Sequence, residues 1–358
     1  MSTAEALRAV VAMSGGVDSS VAAYLMKQAG FDCLGVTMKL FSSADIGGAE
    51  SRCCSLSDVN DARDVAYRLD MPHYVLNFAE EFRTQVIEKF IATYQRGATP
   101  NPCIDCNRYL KFERLMLQAH TIEANSVVTG HYARVERDGG RLLLKKARDT
   151  RKDQSYVLYT LTQEQLAHVQ FPLGAYSKDE VRGIAQEIGL LNAKKRDSQD
   201  ICFVPDGDYA AVIERYTGKR AEPGSIIDEN GAVLGQHRGL IRYTIGQRRG
   251  LGVAAHEARY VASKAVAENT LVLAPETSLY SRSLIMEDSN LIAYTALEKP
   301  VRVQVKTRYL QAEQPAVIEQ LDATHIRVDF DTAQRAITPG QAAVCYDGDV
   351  VVCGGTII

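Results

Sequence analysis

Short apolar runs alternate with helical stripes through the first half of the chain. Val10 to Met13 is a continuous apolar run, and beyond a polar Gly-Gly turn the pairs Val21/Leu25 and Ala22/Met26 recur at i, i+4, with Gly30 as terminator. That pattern predicts a strand, a tight turn and then a helix. Cys33 to Leu40 predicts a second strand, residues 41 to 56 read as a loop, Val59, Ala62, Ala66 and Leu69 mark another helix, and His73 to Phe78 a short strand. Phe82, Val86, Phe90 and Tyr94 form a helical stripe of core residues, and Ser126 to Thr129 is a short buried strand ending at Gly130-His131. Strand and helix in alternation predict the α/β class, a doubly wound parallel sheet with helices on both faces.

Further along the pattern changes. Val135 to Leu144 around Asp138-Gly139-Gly140 reads as a hairpin, and Ser177 to Glu180 is a capping box leading into Val181, Ile184, Ala185 and Ile188, with Gly189 past the end. A short helix at Tyr209 to Tyr216 leads into Gly-rich, short-strand sequence from Gly224 to Val253. From Ser283 onward alternating strands are expected, among them Val301 to Lys306, Ala316 to Ile318, Ile326 to Phe330, Ala342 to Tyr346 and Val350 to Val352, with a hairpin turn at Asp347-Gly348. Three domains follow: an α/β domain over residues 1–206, a small central β-rich domain over 207–280, and a C-terminal antiparallel β-barrel over 281–358.

Composition narrows this picture only a little. A chain of 358 residues with a net charge of −3 has no global affinity for nucleic acid, so any such site must be a local basic patch. No apolar run approaches the length of a membrane span, and Glu5 and Arg8 break the N-terminal apolar stretch, so no membrane contact and a cytoplasmic location are expected. Eight unevenly spaced cysteines without an export signal are expected to be mostly reduced.

The polar interruption after the first run, Ser14-Gly15-Gly16-Val17-Asp18-Ser19-Ser20, is where chemistry enters. Its glycines permit unusual backbone conformations, and its amides and the hydroxyls of Ser14, Ser19 and Ser20 could face an anion at a helix N-terminus. A serine-capped glycine turn is the plainer explanation, but a loop ending the first strand of an α/β sheet lies where ligands collect. It lacks the lysine of a Walker A loop, which argues against ordinary γ-phosphoryl transfer. The segment resembles the signature of the ATP pyrophosphatase (PP-loop) superfamily, which implies cleavage of ATP to AMP and pyrophosphate.

The cysteines add a second chemistry. Thr99 to Asn107, with Pro100 and Pro102, reads as a rigid loop presenting Cys103 and Cys106 just ahead of a helix near Arg108, a placement that favours thiolates. Half of a zinc site is the alternative, but the nearest second pair, Cys53-Cys54, is adjacent rather than spaced. Cys202 follows the polar stretch Asp197 to Ile201 and, taken alone, reads as a core thiol. Cys33, Cys345 and Cys353 sit in strand patterns and are assigned to the core.

Seven motifs then occur in order: Ser14 to Ser20, Thr99 to Asn107, Gly130-His131-Tyr132, Lys152 to Tyr156, Asp197 to Phe203, Gly246 to Gly252 and Pro339-Gly340-Gln341. Together they resemble the bacterial tRNA-specific 2-thiouridylase family across essentially the whole chain. The resemblance implies adenylation of the C2 oxygen of the wobble uridine in tRNAs for Lys, Glu and Gln, followed by displacement of AMP by sulfur. It implies a persulfide on Cys202 with Cys106 as its catalytic partner, and a sulfur donor such as a cysteine desulfurase or a relay protein. It places Ala12, Met13, Ser14, Gly15, Gly16, Val17, Asp18, Ser19, Met38 and Gly130 around ATP, with Asp18 near Mg²⁺ and pyrophosphate. Asn101, Pro102 and Cys103 would border the target base, and His131, Lys152, Asp153, Gln154, Arg308, Tyr309 and Gln341 would touch tRNA.

One departure matters: many family members carry Asp where this chain has Cys103, so a general-base role does not transfer. An iron–sulfur cluster on Cys103, Cys106 and Cys202 is a second route to sulfur, ranked below the persulfide. From charge alone, Lys145, Lys146, Arg148, Arg151 and Lys152 are as well explained by a solvated face as by RNA binding. Two rivals remain: another adenylating PP-loop enzyme, which needs neither Cys106 nor Cys202, and a non-catalytic tRNA-binding protein with a vestigial nucleotide loop.

Overall fold

The computed structural model describes residues 7–41, 56–190, 192–193, 195, 201–204, 207–254 and 257–358. Most of the expected 41-to-56 loop, with Cys53 and Cys54, and Asp197 to Asp200 of the Cys202 motif lie outside the described residues. The chain divides into two compact units, the first formed by residues up to 86, 103–207 and 349–351, the second by 87–102, 208–348 and 352–358.

In the first unit β1 (Arg8–Ala12), β2 (Asp32–Lys39), β3 (His73–Asn77) and β4 (Ser126–Val128) are followed by the hairpin of β5 (Ala133–Asp138) and β6 (Arg141–Lys146) and by β7 (Val169–Gln170). The order β3-β2-β1-β4-β7 is parallel throughout, with Val10 of β1 between Leu34 and Val127. The continuous apolar run of β1 is what a central parallel strand requires, since both of its faces are covered. Val10 and Val11 are at most 1% exposed. The helix Val17–Gln28 lays Val21 and Ala22 into one core with Val128, Val181 and Ala185, so it joins β1, β4 and the helix Lys178–Glu187. Burying each Val or Leu side chain in such a core is worth about 1.5–3 kcal/mol.

The expected helical stripe is buried at Phe82, Val86, Phe90 and Tyr94, but a π-helical stretch, Arg83–Ile87, interrupts the helix between Ala79–Phe82 and Glu88–Gln95. The capping box forms as expected: Glu180 N donates to Ser177 Oγ at 3.2 Å and Ser177 N to Glu180 Oε2 at 2.7 Å.

In the second unit β8 (Gly224–Asp228), β9 (Val233–His237), β10 (Tyr260–Ala265) and β11 (Thr270–Ala274) form a sheet of order β10-β11-β8-β9. Six strands follow: β12 (Tyr280–Leu291), β13 (Val301–Lys306), β14 (Gln314–Gln320), β15 (Ile326–Arg335), β16 (Ala342–Asp347) and β17 (Val350–Ile357). They run β12-β15-β14-β13-β16-β17 and close through pairing of β12 with β17, giving an antiparallel barrel with its edges removed. Inward alternation of Val303, Val305, Ile318, Val328 and Phe330 fills its core, which also takes Cys345 and Cys353; Cys33 is buried in the first unit. The sequence pattern named no strand at β10 or β11 and expected alternating strands only from Ser283, inside β12; Lys264 in β10, and Arg282 and the serines in β12, break the alternation that marks a half-buried strand.

Candidate active site

The Ser14–Ser20 loop lies at the carboxyl end of β1 and opens the helix Val17–Gln28. Gly15 adopts φ +71°, and a Cβ there would stand 2.3 Å from the carbonyl oxygen of Asp58. Gly130, at the end of β4, approaches from the other side, where a Cβ would lie 2.8 Å from the amide nitrogen of Ser19. Two bare α-carbons therefore let the helix N-terminus sit between neighbouring backbone segments with its first amides oriented as an anion cradle.

The hydroxyls divide the loop into two sides. Ser14 is exposed, and its amide donates to Ser19 Oγ at 3.2 Å. Ser20 is fully buried and turns away from any ligand, donating to Gly16 O at 2.9 Å while Asn192 Nδ2 donates to Ser20 Oγ at 2.9 Å. This corrects the expectation that all three serine hydroxyls face outward; the third sits one turn up the helix, on the face that packs inward. Ala12, Met13 and Val17 are buried as well, and Met38 is half-buried near the carboxyl end of β2.

Charges reach the loop from distant sequence. Lys178 Nζ donates to both carboxylate oxygens of Asp18, at 2.7 and 2.8 Å, and Tyr132 Oη donates to Asp18 Oδ1 at 2.8 Å. Lys195 Nζ donates to Asp58 and Asp61 at 2.6 Å each and to Gly15 O at 3.3 Å. Asn192 Nδ2 donates to the same Gly15 oxygen at 3.1 Å, leaving its buried Oδ1 without a partner. Sequence reasoning missed Lys178, Lys195, Asp58, Asp61 and Asn192. For Lys178 a signal existed, since it occupies the first position after the capping-box serine.

The thiol region departs from expectation. The helix begins at Pro102, not near Arg108: Pro102–Asp105 is helical and runs directly into a π-helical stretch, Cys106–Arg114. Proline at the first helical position explains the early start. Cys103 therefore sits in the first turn and is exposed, whereas Cys106 lies in the second and is partly buried. Burial pushes the Cys106 thiol up to about 11, with Lys111 opposing and Cys103 and Asp105 adding to the rise. The activated thiolate expected for Cys106 is thus reversed by desolvation. Cys202 is also partly buried, and Phe203 after it packs edge-on against Phe82 at 5.6 Å. Phe82 belongs to a short helix that packs on the Cys106 helix and is tied to it by a 2.9 Å ion pair between Glu81 and Arg114. Both cysteines are thus anchored on the first unit.

Lys111 of the Cys106 helix lies 3.5 Å from His131 Nε2, and Thr129 Oγ1 lies 2.7 Å from His131 Nδ1. Burial first, and Lys111 second, hold the His131 pKa well below its ordinary value, so the ring is neutral at physiological pH. His131 is only 8% exposed. Asp153 is likewise buried, accepting from the amides of Ala147 and Ser155, while Gln154 Oε1 accepts from the amide of Tyr132. Lys152 is half-buried. In the basic segment, Lys145 pairs with Glu136 and Asp349, Arg148 with Glu180 and Arg151 with Asp149, so much of its charge is neutralised internally.

In the second unit, Arg308 Nη2 donates to Thr338 Oγ1 at 2.7 Å and Ala336 O at 3.1 Å, and Tyr309 beside it is 36% exposed. Gln341 Nε2 donates to Thr99 O at 3.0 Å and Pro100 O at 3.1 Å, and Thr99 N donates to Pro339 O at 2.8 Å. The Pro339-Gly340-Gln341 motif therefore latches the segment leading to Asn101 and Pro102, which are partly and fully buried.

Among the described residues, no three His, Cys, Asp or Glu side chains converge as a metal site. Cys103, Cys106 and Cys202 are all described and are not drawn together as such a group. Mg²⁺ needs less from a protein, one or two carboxylates with the remainder from phosphates and water; Asp18 is the carboxylate at this loop, and its oxygens are held by Lys178 and Tyr132.

Comparison with known proteins places these features in a family. The tRNA methyl transferase HUP domain family matches residues 7–206, the tRNA methyl transferase PRC-barrel domain 210–275, and the aminomethyltransferase beta-barrel domain 281–357. A tRNA-specific 2-thiouridylase of Clostridioides difficile is 50% identical over 98% of each chain. Another from Thermoanaerobacter sp. is 51% identical over 98% of this chain and 97% of the relative. Among solved structures, a 4-thiouridine synthetase in complex with RNA and ATP aligns with a TM-score of 0.40 at 20% identity, over 56% of this chain and 45% of its own. NMN synthetase from Francisella tularensis aligns with a TM-score of 0.32 at 17% identity, over 62% of this chain and 80% of its own.

Proposed function

The chain belongs to the tRNA-specific 2-thiouridylase family, and from that premise we propose that it thiolates C2 of the wobble uridine in tRNAs for Lys, Glu and Gln, using ATP to activate the base. The observation that carries the reading is the Ser14–Ser20 loop, whose helix amides are opened by Gly15 and Gly130 and whose Asp18 is held by Lys178 and Tyr132. Such a cradle suits a departing pyrophosphate. Bound Mg²⁺ would offset the charge of that leaving group, with Asp18 as its protein carboxylate.

Adenylation turns the uridine C2 oxygen into a leaving group, AMP. Sulfur then has to arrive at C2. A persulfide on Cys202 supplies it, and attack by the Cys106 thiolate on the Cys202 sulfur releases sulfide and leaves a Cys106–Cys202 disulfide that an external thiol must reduce. The raised pKa of Cys106 means that this thiol is protonated at rest and needs a base, or a change of surroundings on tRNA binding, to attack. Asn101, Pro102 and Cys103 border the target base in this reading. His131, Lys152, Asp153, Gln154, Arg308, Tyr309 and Gln341 serve tRNA recognition, the buried members among them by shaping the surface rather than by offering charge. The sulfur donor is a cysteine desulfurase or a relay protein, and the reaction takes place in the cytoplasm.

Mass spectrometry of tRNA incubated with the protein, ATP and a sulfur donor tests substrate, reaction and product together. Expected is a gain of sulfur at the wobble uridine that requires ATP. Unmodified tRNA, or sulfur at another position, overturns the reading.

A further inference from the structure

The loop lacks a lysine of its own, yet Lys178 is delivered to it across 160 positions of sequence. Its side chain is only 7% exposed. Lys178 occupies the first position of the helix Lys178–Glu187, where the helix dipole disfavours a cation and where acidic residues are usually found. A buried ammonium in an unfavourable field needs a partner, and its partner is Asp18, gripped through both oxygens. The Tyr132 ring lies 5.8 Å from the ammonium, and the Tyr132 hydroxyl binds the same carboxylate. The Lys178 amide is itself pinned by Asp149 Oδ2 at 3.1 Å, which fixes where the side chain starts.

Asp18 poses the complementary problem. It sits in the first turn of the loop's helix, where a carboxylate is favoured by the dipole but would repel an incoming triphosphate. Pairing with Lys178 makes that corner electrically neutral and holds the carboxylate in one rotamer.

We propose that Lys178 is a positioning residue for nucleotide activation, which acts through Asp18 by balancing its charge and fixing its orientation at the anion cradle. The inference rests on the reading of the loop as an ATP site. It assigns Lys178 no contact with the nucleotide. Lys195 differs: it secures the back of the loop through Gly15 and the Asp58 and Asp61 carboxylates.

The test is isothermal titration of the full-length protein with a non-hydrolysable ATP analogue and Mg²⁺, with thermal unfolding measured alongside. Wild type must bind; if it does not, the ATP-site reading fails before the inference is reached. Given binding by wild type, Lys178→Met should weaken affinity about tenfold or more, and Lys178→Arg should stay within about threefold of wild type. Asp18→Asn combined with Lys178→Met should bind as Asp18→Asn alone does, because the lysine acts only through Asp18. Since that double variant buries no unpaired charge, it carries the comparison should Lys178→Met alone fail to fold. Wild-type affinity in Lys178→Met, or a further loss of about tenfold in the double variant beyond Asp18→Asn, overturns the proposal.

Discussion

The nucleotide loop and the thiol helix belong to the same unit and are built on opposite electrostatic plans. At the loop, each charge has a counter-charge: Asp18 with Lys178, and Asp58 and Asp61 with Lys195. Cys106 is partly buried, and that burial outweighs the lysine one turn along. One site is charge-balanced at rest. The other keeps its nucleophile protonated until something changes around it. In the proposed reaction, where the base is activated before sulfur arrives, a resting thiol that is poorly nucleophilic limits premature attack.

The largest effect is expected where the two sites are separated. Cys202→Ser should lower sulfur transfer to tRNA by at least about a thousandfold while leaving ATP affinity at the wild-type value, as for a sulfur carrier that the reaction cannot replace. Labelled-sulfur incorporation together with nucleotide titration measures both. Loss of ATP binding in this variant would mean that the sites are one.

The converse change follows. In Gly130→Ala the new methyl meets Ser19 and Asp18 backbone at 2.8 Å, and neither can yield as a flexible side chain would. Overpacking of this kind costs about 1–3 kcal/mol, equivalent to roughly five- to 150-fold in nucleotide affinity if it falls on the bound loop. The alkylation rate of Cys106 should not change. Equal affinity in wild type and variant would show that the loop has slack that the contacts do not suggest.

A smaller and graded effect should be seen with pH. Because Cys106 is raised to about 11, its thiolate fraction, and with it the rate of iodoacetamide alkylation, should rise about tenfold per unit from pH 8 to about pH 10 without levelling off. The exposed Cys103 should react faster throughout. Peptide mapping by mass spectrometry distinguishes the two thiols. A plateau for Cys106 near neutrality would restore the activated thiolate and erase the contrast between the sites.

What could be read from the chain alone follows the same division. The loop is legible because its requirements are local: two glycines where side chains would clash, and a helix start after an apolar run. The alternation of strand and helix predicted the parallel sheet because the central strands carry short buried apolar runs, Ala9 to Ala12 in β1 and Val127-Val128 in β4. The pairing of the charges around the loop was not legible: the capping box marks Lys178 as a helix start, but Lys178 and Lys195 lie 160 and more residues from the loop, and their local sequence does not name Asp18 or Asp58 as partners. The pKa of Cys106 was misjudged for a related reason. Proximity to a helix start can be read from Pro102 and the residues after it, but the burial that raises Cys106 is set by tertiary packing, which the local sequence does not report. Motifs report which atoms are available; the strength of their fields is decided by distant packing.

The smallest effect expected bears on how Lys178 is held. Its helix begins with the Ser177–Glu180 capping box, so Ser177→Ala should cost about 1 kcal/mol of stability, the usual worth of a serine cap. Glu180 adds a pH signature. Arg148 beside it, and then the Ser177 amide, hold its carboxyl down to about 2 from an ordinary 4.5. A depressed carboxylate contributes stability that is present above its unfolded pKa and is lost as pH falls through the folded one, so the contribution fades between about pH 4.5 and about pH 2. The group is exposed, and salt should shrink the effect. Thermal unfolding of wild type and Ser177→Ala at neutral pH and at about pH 3 should therefore give curves whose separation narrows in acid. If the variant also binds the ATP analogue about two- to threefold more weakly at neutral pH, the cap acts on the loop through Lys178. If it loses stability with no change in affinity, the lysine keeps its place by its grip on Asp18 alone.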